Sequence, residues 1–274
     1  MTQGILIFAY NNGTFDYVKQ ALWAADRAAK FLNKPVTIIT NEESLANRTT
    51  LHNIIFADAD ASSKRNFKQQ EKSNVSLWFN GNRYQAYELS PYDETIIIDS
   101  DYVVCSEQLN LLYVQKQDFL THRSVVDLGF KKSYESFDTF GQLKMPHYWA
   151  TILFFRKTQI AKDIFDLITM IRNNYRYYSQ LYKFVSAPYR NDHAVSIAQI
   201  IAYGHRADAV PSIKWNLPTL PYEATLKKIN DDTFDAYYEK WNRNKVITMR
   251  NRLSGIDFHC MNKFTLEDVI DADM

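Results

Sequence analysis

Residues 90–104, SPYDETIIIDSDYVV, end an unbroken apolar run with two aspartates that flank a serine. Ile96, Ile97 and Ile98 are β-branched and the run is short, so it reads as a strand buried on both faces. Asp99 and Asp101 then emerge at its C-terminal end, the edge at which ligands bind in open α/β sheets. The plainer alternative is that Asp99 caps the following turn and Asp101 is solvated. The rest of the chain decides between them.

Upstream, GILIFAY at 4–10 is a buried strand closed by the turn NNG. Residues 14–33 follow with Phe15, Val18, Leu22, Ala25, Ala29 and Leu32 near helical spacing, and Thr14 is the expected N-cap. VTIIT at 36–40 is a second strand, so a parallel crossover is the default connection. NIIFA at 53–57 is a third strand. The polar stretch 58–74 reads as a mobile loop, and 76–89 as a helix stopped by Pro91 that feeds the isoleucine strand. Residues 118–128 are strand-like, 129–147 an irregular loop, and 148–157 another strand. A long helix is expected over 158–182, with Ile160, Ile164, Leu167, Ile168 and Ile171 on one face. A second covers 191–204, opened by Asn191 or Asp192. Beyond it, Pro211, Pro218 and Pro221 predict irregular chain. The alternation of strand and helix makes the expected class α/β, a mixed, mostly parallel sheet flanked by helices, with an irregular C-terminal extension.

The chain has 274 residues, enough for one large domain over 1–274 with a sizeable core. Hydrophobic residues at 46% and charged residues at 23% argue against disorder. A net charge of +1 excludes partner choice by bulk electrostatics, though not a local basic face. Cys105 and Cys260 have no paired spacing, which excludes a disulfide framework or zinc knuckle and fits a reducing cytoplasm. No segment has membrane-spanning length, and the N-terminal apolar run is too short for a signal sequence, so no membrane insertion is expected.

Two chemistries use an apolar strand that ends in D-x-D. Haloacid-dehalogenase-type phosphatases use the first Asp as nucleophile, but they open with this strand, and here it follows three others. The alternative is nucleotide-sugar transfer. LSPYDETIIIDSD resembles the segment of the D-x-D motif in GT-A glycosyltransferases, especially those similar to glycogenin and bacterial galactosyltransferases. Arg83 falls where that family often has a basic residue facing the donor. YWATILFF at 148–155 resembles the strand after the acceptor loop, with Ala150 and Thr151 in place of the usual N-S-G. NDHA at 191–194 resembles the D-Q-x element, and DFHCMNK at 257–263 the late H-x-x-G-x-K element without its glycine.

The resemblance implies a metal-dependent glycosyltransferase with UDP-sugar as donor and retention of anomeric configuration. Residues 1–105 would form the nucleotide-sugar half and 106–274 the acceptor half. Asp99, Asp101 and His259 would hold Mn²⁺ or Mg²⁺, a hard cation that neutralises a diphosphate leaving group. Tyr10 would stack on the base, Asn11 and Asn12 would hydrogen-bond it, and Arg83, Ser100 and Lys263 would meet the rest of the donor. Asp192 is the candidate catalytic residue at the reacting centre. A plain structural use exists for each: a tight turn for Asn11 and Asn12, a helix cap for Asp192, a core or surface histidine for His259.

The acceptor is read from residues 171–193, where Arg172, Arg176, Lys183 and Arg190 interleave with Tyr175, Tyr177, Tyr178, Tyr182 and Tyr189. That is the composition of a nucleic-acid groove. A second basic run carries Lys240, Arg243, Lys245, Arg250 and Arg252. The sharper expectation is duplex DNA with a hydroxymethylated base, as bacteriophage glycosyltransferases modify, the base being extruded to react. A saccharide is the competing acceptor, because tyrosines also stack on sugar rings. A GT-A-like fold that binds without turnover is the third alternative, and the presence of both aspartates weighs against it.

Overall fold

The computed structural model describes residues 1–47, 51–59, 63–69, 72–79, 81–129, 138–184, 188–242 and 245–273. In chain order its strands are β1 (Gln3–Phe8), β2 (Val36–Thr40), β3 (Asn53–Phe56), β4 (Ser63–Gln69), β5 (Lys72–Trp78), β6 (Glu94–Ile98) and β7 (Tyr102–Val103). They continue as β8 (Phe119–His122), β9 (Val125–Asp127), β10 (Thr139–Phe140), β11 (Met145–Pro146) and β12 (Trp149–Arg156). The C-terminal set is β13 (Leu217–Leu220), β14 (Thr225–Lys228), β15 (Thr233–Asn242), β16 (Lys245–Ser254) and β17 (Phe258–Cys260).

The central sheet has the order β3-β2-β1-β6-β12-β8. Its first four strands pair in parallel, and β12 is antiparallel to both β6 and β8, so β12 alone runs against the others. The fold is therefore mixed α/β with a mostly parallel sheet. The isoleucine run forms β6 at the centre, and Ile96, Ile97 and Ile98 are all fully buried. Because successive strand side chains alternate in direction, Ile97 joins Leu6, Leu153 and Phe155 in one core. Ile96 and Ile98 join Ile5, Ile7, Ile152 and Phe154 in the other. The helix Tyr17–Leu32 covers this second face with Val18, Ala21, Ala25 and Ala28. The helices Gln159–Asn173 and Asn191–Ala202 cover the first with Ile164, Ile168, Ala194 and Ile197. Burial on both faces is what lets a continuous apolar run serve as a strand.

Several expectations need correction. Asp16, not Thr14, caps the first helix, its carboxylate accepting from the Lys19 amide at 2.9 Å. The expected loop 58–74 contains most of a β4–β5 hairpin, registered from Ser63 opposite Trp78 to Gln69 opposite Lys72. A polar antiparallel ribbon satisfies its backbone without leaving an apolar alternation to read; positions 60–62 and 70–71 lie outside the described residues. The helix expected over 76–89 is reduced to a 3-10 turn, Asn82–Gln85, and one helical turn, Ala86–Leu89, because β5 runs through Trp78 and Gly81 starts the turn. Residues 118–128 split into β8 and β9, which belong to different sheets. In the expected loop 129–147, β10 and β11 pair, and 130–137 lie outside the described residues. The long helix breaks at Asn174 into Gln159–Asn173 and Tyr175–Leu181, with Asn174 Nδ2 donating to the Met170 carbonyl at 2.9 Å.

The largest correction concerns the C-terminal extension, which is ordered secondary structure. β14-β15-β16 form an antiparallel sheet, β7-β17-β13-β9 form another, and the helix Lys263–Asp273 closes the chain. Phe234, Ala236, Leu220, Phe258, Leu266 and Ile270 build a third core there. Pro218 lies in the four-residue strand β13, opposite Val126 of β9, and Pro221 directly follows that strand.

Two stability predictions follow from buried positions. A Cβ on Gly4 would stand 2.4 Å from the Tyr92 ring, which would have to shift at the expense of the 2.7 Å hydrogen bond between Tyr92 Oη and Thr37 Oγ1. Gly4→Ala is expected to destabilise the protein by about 1–3 kcal/mol in denaturant titrations. His122 is fully buried, its Nδ1 3.0 Å from the Trp215 carbonyl, and burial pushes its imidazole down from 6.5 to about 4. The unfolded chain therefore takes up this proton first as pH falls. The contribution is complete above pH 6.5, declines between 6.5 and 4, and totals roughly 3 kcal/mol. Unfolding curves of His122→Leu should show a flatter pH dependence across that interval than the unsubstituted protein.

Candidate active site

The C-terminal end of β6 opens into a cleft, open to solvent and lined by Tyr10, Arg83, Asp99, Ser100, Asp101, Asp192, His259 and Lys263 among others. Its construction starts at β7, the two-residue strand directly after the aspartates. β7 pairs antiparallel with β17, setting Tyr102 opposite His259, and the Cys260 amide donates to the Asp101 carbonyl at 2.9 Å. β17 is held in turn by β13, with Thr219 opposite His259. This ladder carries the end of the chain to the D-x-D turn.

The consequence is a compact donor set. His259 Nε2 stands 3.4 Å from Asp101 Oδ2, and Lys263 Nζ donates to the same oxygen. Single donor atoms of Asp99, Asp101 and His259 all lie within 4.8 Å of one another. Ligands of one cation at bonds of about 2.0–2.6 Å can be at most roughly 5 Å apart, so the three fit a single ion. Two carboxylates and an imidazole suit Mn²⁺ or Mg²⁺ more than a thiophilic metal. Asp101 is buried, which by itself would raise its pKa, but Lys263 and His259 beside it hold the carboxyl well below the usual range. Lys263 is largely enclosed, which by itself would lower its pKa, and Asp101 outweighs that and pushes the ammonium pKa up.

On the opposite wall, Arg83 is buried on the 3-10 turn, pairs with Asp99, and donates from Nη1 to the Ala150 carbonyl. Asp192, in the first turn of the helix Asn191–Ala202, accepts from the Ala150 amide at 2.9 Å through Oδ1 and from Arg190 Nη2 at 3.1 Å through Oδ2. Burial alone would raise the Asp192 pKa; Arg190, His147 and the Ala150 amide bring it well below the ordinary value. Asp192 is thus a fixed carboxylate engaged on both oxygens rather than the helix cap that its position in sequence allowed. The backbone that serves these groups is released by a bulge: β12 pairs with β8 at Trp149 and again at Leu153, with a register shift between. That leaves the Ala150 amide and carbonyl for Asp192 and Arg83, while on the other side of β12 the Thr151 carbonyl extends the ladder with β6 by accepting from the Asp99 amide at 3.1 Å.

The structure brings most of the expected residues together and excludes two. Tyr10 lines the cleft, buried enough to push its phenol up to about 12. Asn11 and Asn12 do not line it. Asn11 Oδ1 accepts from the Val18 amide and Asn12 Oδ1 from the Thr14 and Phe15 amides, each at 3.0 Å, so both shape the entry to the first helix. Sequence reasoning missed Trp78, Tyr17, Tyr222 and the role of Arg190, all of which line the cleft. Only Arg190 left a readable signal, a cation two positions before Asp192.

The basic and aromatic segment does not assemble a stripe. Tyr178, Tyr182 and Tyr189 are buried in the core, Arg172 lies over the Tyr84 ring at 4.7 Å, and Arg190 is engaged by Asp192. In the second run Arg250 and Arg252 pair with Asp235, and Arg243 lies outside the described residues. Among the described residues no helix is long and apolar enough to cross a membrane.

No protein-family model matches the sequence, and no curated protein matches it. Among solved structures the chain is similar to the glycosyltransferase GlyE of Streptococcus pneumoniae TIGR4, with 12% identity and a TM-score of 0.45, covering 78% of this chain and 46% of that one. The chain thus spans about half the length of that protein. It is also similar to the galactosyltransferase LgtC in complex with donor and acceptor sugar analogues, with 14% identity and a TM-score of 0.44, covering 71% of this chain and 69% of that one. A third similar structure is mouse xyloside xylosyltransferase 1, with 10% identity and a TM-score of 0.42, covering 72% of this chain and 81% of that one. At these scores the likeness is partial, and the chemistry has to come from the cleft itself.

Proposed function

We propose that the protein is a metal-dependent glycosyltransferase that moves a sugar from a nucleotide diphosphate sugar to a hydroxyl of a saccharide acceptor. The observation that carries this reading is the convergence of Asp99, Asp101 and His259 within 4.8 Å at the C-terminal end of a buried central strand, with Lys263 on the same carboxylate. These three residues would hold the divalent cation, which when bound would neutralise charge developing on the diphosphate. Lys263 and Arg83 supply the remaining cationic groups for diphosphate oxygens, and Ser100, between the two aspartates in sequence, lines the same cleft.

In the transfer, the acceptor oxygen bonds to the anomeric carbon, the bond from that carbon to the diphosphate oxygen breaks with its electron pair passing to that oxygen, and the acceptor proton passes to the departing diphosphate. Asp192 is a weak base, because Arg190 and the Ala150 amide stabilise its charged form. Its role is to hold a sugar hydroxyl and to oppose the positive charge that builds at the anomeric carbon. Tyr10 packs against the nucleotide. Tyr17 and Tyr222 retain exposed area on the cleft lining, where aromatic faces suit a sugar ring. A saccharide is the favoured acceptor because three of the five tyrosines expected to form a nucleic-acid groove, Tyr178, Tyr182 and Tyr189, are spent on the core.

Three outcomes test this reading. In a thermal-shift screen with Mn²⁺, the correct UDP-sugar at a hundred times its dissociation constant should add about 2.7 kcal/mol, a rise of several degrees. Asp101→Ala should lower Mn²⁺-dependent UDP-sugar hydrolysis by at least about a hundredfold, since loss of the cation removes several kcal/mol of charge stabilisation. Gel-shift titrations with duplex DNA should give no salt-sensitive affinity; a steep salt dependence would restore DNA as the acceptor.

A further inference from the structure

The charged groups that line the cleft, among the described residues, are the carboxylates of Asp99, Asp101 and Asp192 and the cations Arg83, Arg190 and Lys263, with His259 counted as neutral. Three negative and three positive groups make the lining formally neutral. They are also paired one to one: Arg83 with Asp99, Lys263 with Asp101, and Arg190 with Asp192. In the first two pairs the carboxylate is a candidate ligand for the cation, and its partner is a candidate contact for the diphosphate. Asp101, Arg83, Lys263 and His259 are all at most 15% exposed at their side chains, so these charges interact at reduced dielectric.

On the reading of the cleft given above, we propose that it takes up a divalent cation and a diphosphate as a mutually dependent pair, by an exchange of ion pairs. Lys263 and Arg83 occupy the metal ligands until both arrive, then pass to diphosphate oxygens as Asp101 and Asp99 pass to the cation. A dication alone would leave the lining with two excess positive charges and would have to displace Lys263 and Arg83 from the carboxylates that neutralise them. A diphosphate diester alone would add two negative charges while its cationic contacts remained tied to carboxylates. Both together restore neutrality, and every buried charge keeps a partner. Because binding free energies are linked, each component must tighten the other by the same factor. Lys263 is the residue that sets the sign. It weakens the site for the cation alone and strengthens it for the diphosphate.

The test uses Mn²⁺ and inorganic pyrophosphate as probes, with free Mn²⁺ read by electron paramagnetic resonance and corrected for the complex the two form in buffer. In the unsubstituted protein, pyrophosphate should tighten Mn²⁺ at least about tenfold, and Mn²⁺ should tighten pyrophosphate equally. Lys263→Met should bind Mn²⁺ alone at least about tenfold more tightly, bind pyrophosphate more weakly, and lose most of the coupling. Arg83→Met should shift Mn²⁺ affinity in the same direction, and it carries the test if circular dichroism shows that Lys263→Met is unfolded. Independent binding of the two probes, or weaker Mn²⁺ binding by a folded variant, overturns the exchange while leaving the cation and diphosphate site in place. Failure of the unsubstituted protein to bind either probe, alone or together, overturns the site and the exchange with it.

Discussion

The two-residue pairing of β7 with β17 is the constraint on which the rest of the molecule depends. It sets Tyr102 against His259 and Val103 against Phe258, and it is the step that brings His259 to the two aspartates of the D-x-D turn. So short a ladder is weak alone. It is supported by the Cys260 amide on the Asp101 carbonyl, the Met261 amide on the Leu220 carbonyl, and the Asp257 carboxylate, which accepts from the Cys105 amide and the Ser106 hydroxyl. Beneath these bonds Val103, Leu220, Phe258 and Leu266 pack in one apolar cluster. Assembly of the C-terminal layer and assembly of the site are therefore one event, and substitutions in that cluster should be felt in the cleft.

The opposite wall depends on a local departure from regular pairing. Had β12 continued its ladder with β8 without interruption, the backbone near Ala150 would have been engaged in the sheet. The register shift instead gives Arg83 and Asp192 a common backbone unit, the Ala150 carbonyl for one and its amide for the other. The two acid–base pairs are thus fixed relative to the sheet edge by the same peptide segment. Fixing them this way limits the reorganisation that charged groups would otherwise undergo when a ligand arrives.

Buried ion pairs are weak evidence for stability, since desolvation offsets much of their attraction. At this cleft two largely buried pairs stand at the tip of the most apolar strand, Arg83 with Asp99 and Lys263 with Asp101, and a third, Arg190 with Asp192, is partly exposed, so each charge on the lining has an opposite charge beside it. The pKa directions agree: Asp101 and Asp192 stay ionised and Lys263 stays protonated across the neutral range because each has an opposite charge beside it.

What the sequence alone determined was the scaffold around β6 and the two acids at its end. Ile96, Ile97 and Ile98 have no polar residue among them to place on a solvent face, so a doubly covered central strand was the available outcome, and Asp99 and Asp101 had to emerge at its edge. His259 and Lys263 were visible only through a family resemblance, since nothing local ties them to residues far earlier in the chain. Tertiary structure decided what local propensity does not encode: that a proline-containing C-terminal stretch pairs with β7 and β9, that Asn11 and Asn12 serve a helix entry, and that Tyr178, Tyr182 and Tyr189 fill a core. The physical reason is the same in each case. An apolar run has one favourable destination, whereas a tyrosine, an asparagine or a short alternating strand has several, and only the partner supplied by the folded chain selects among them.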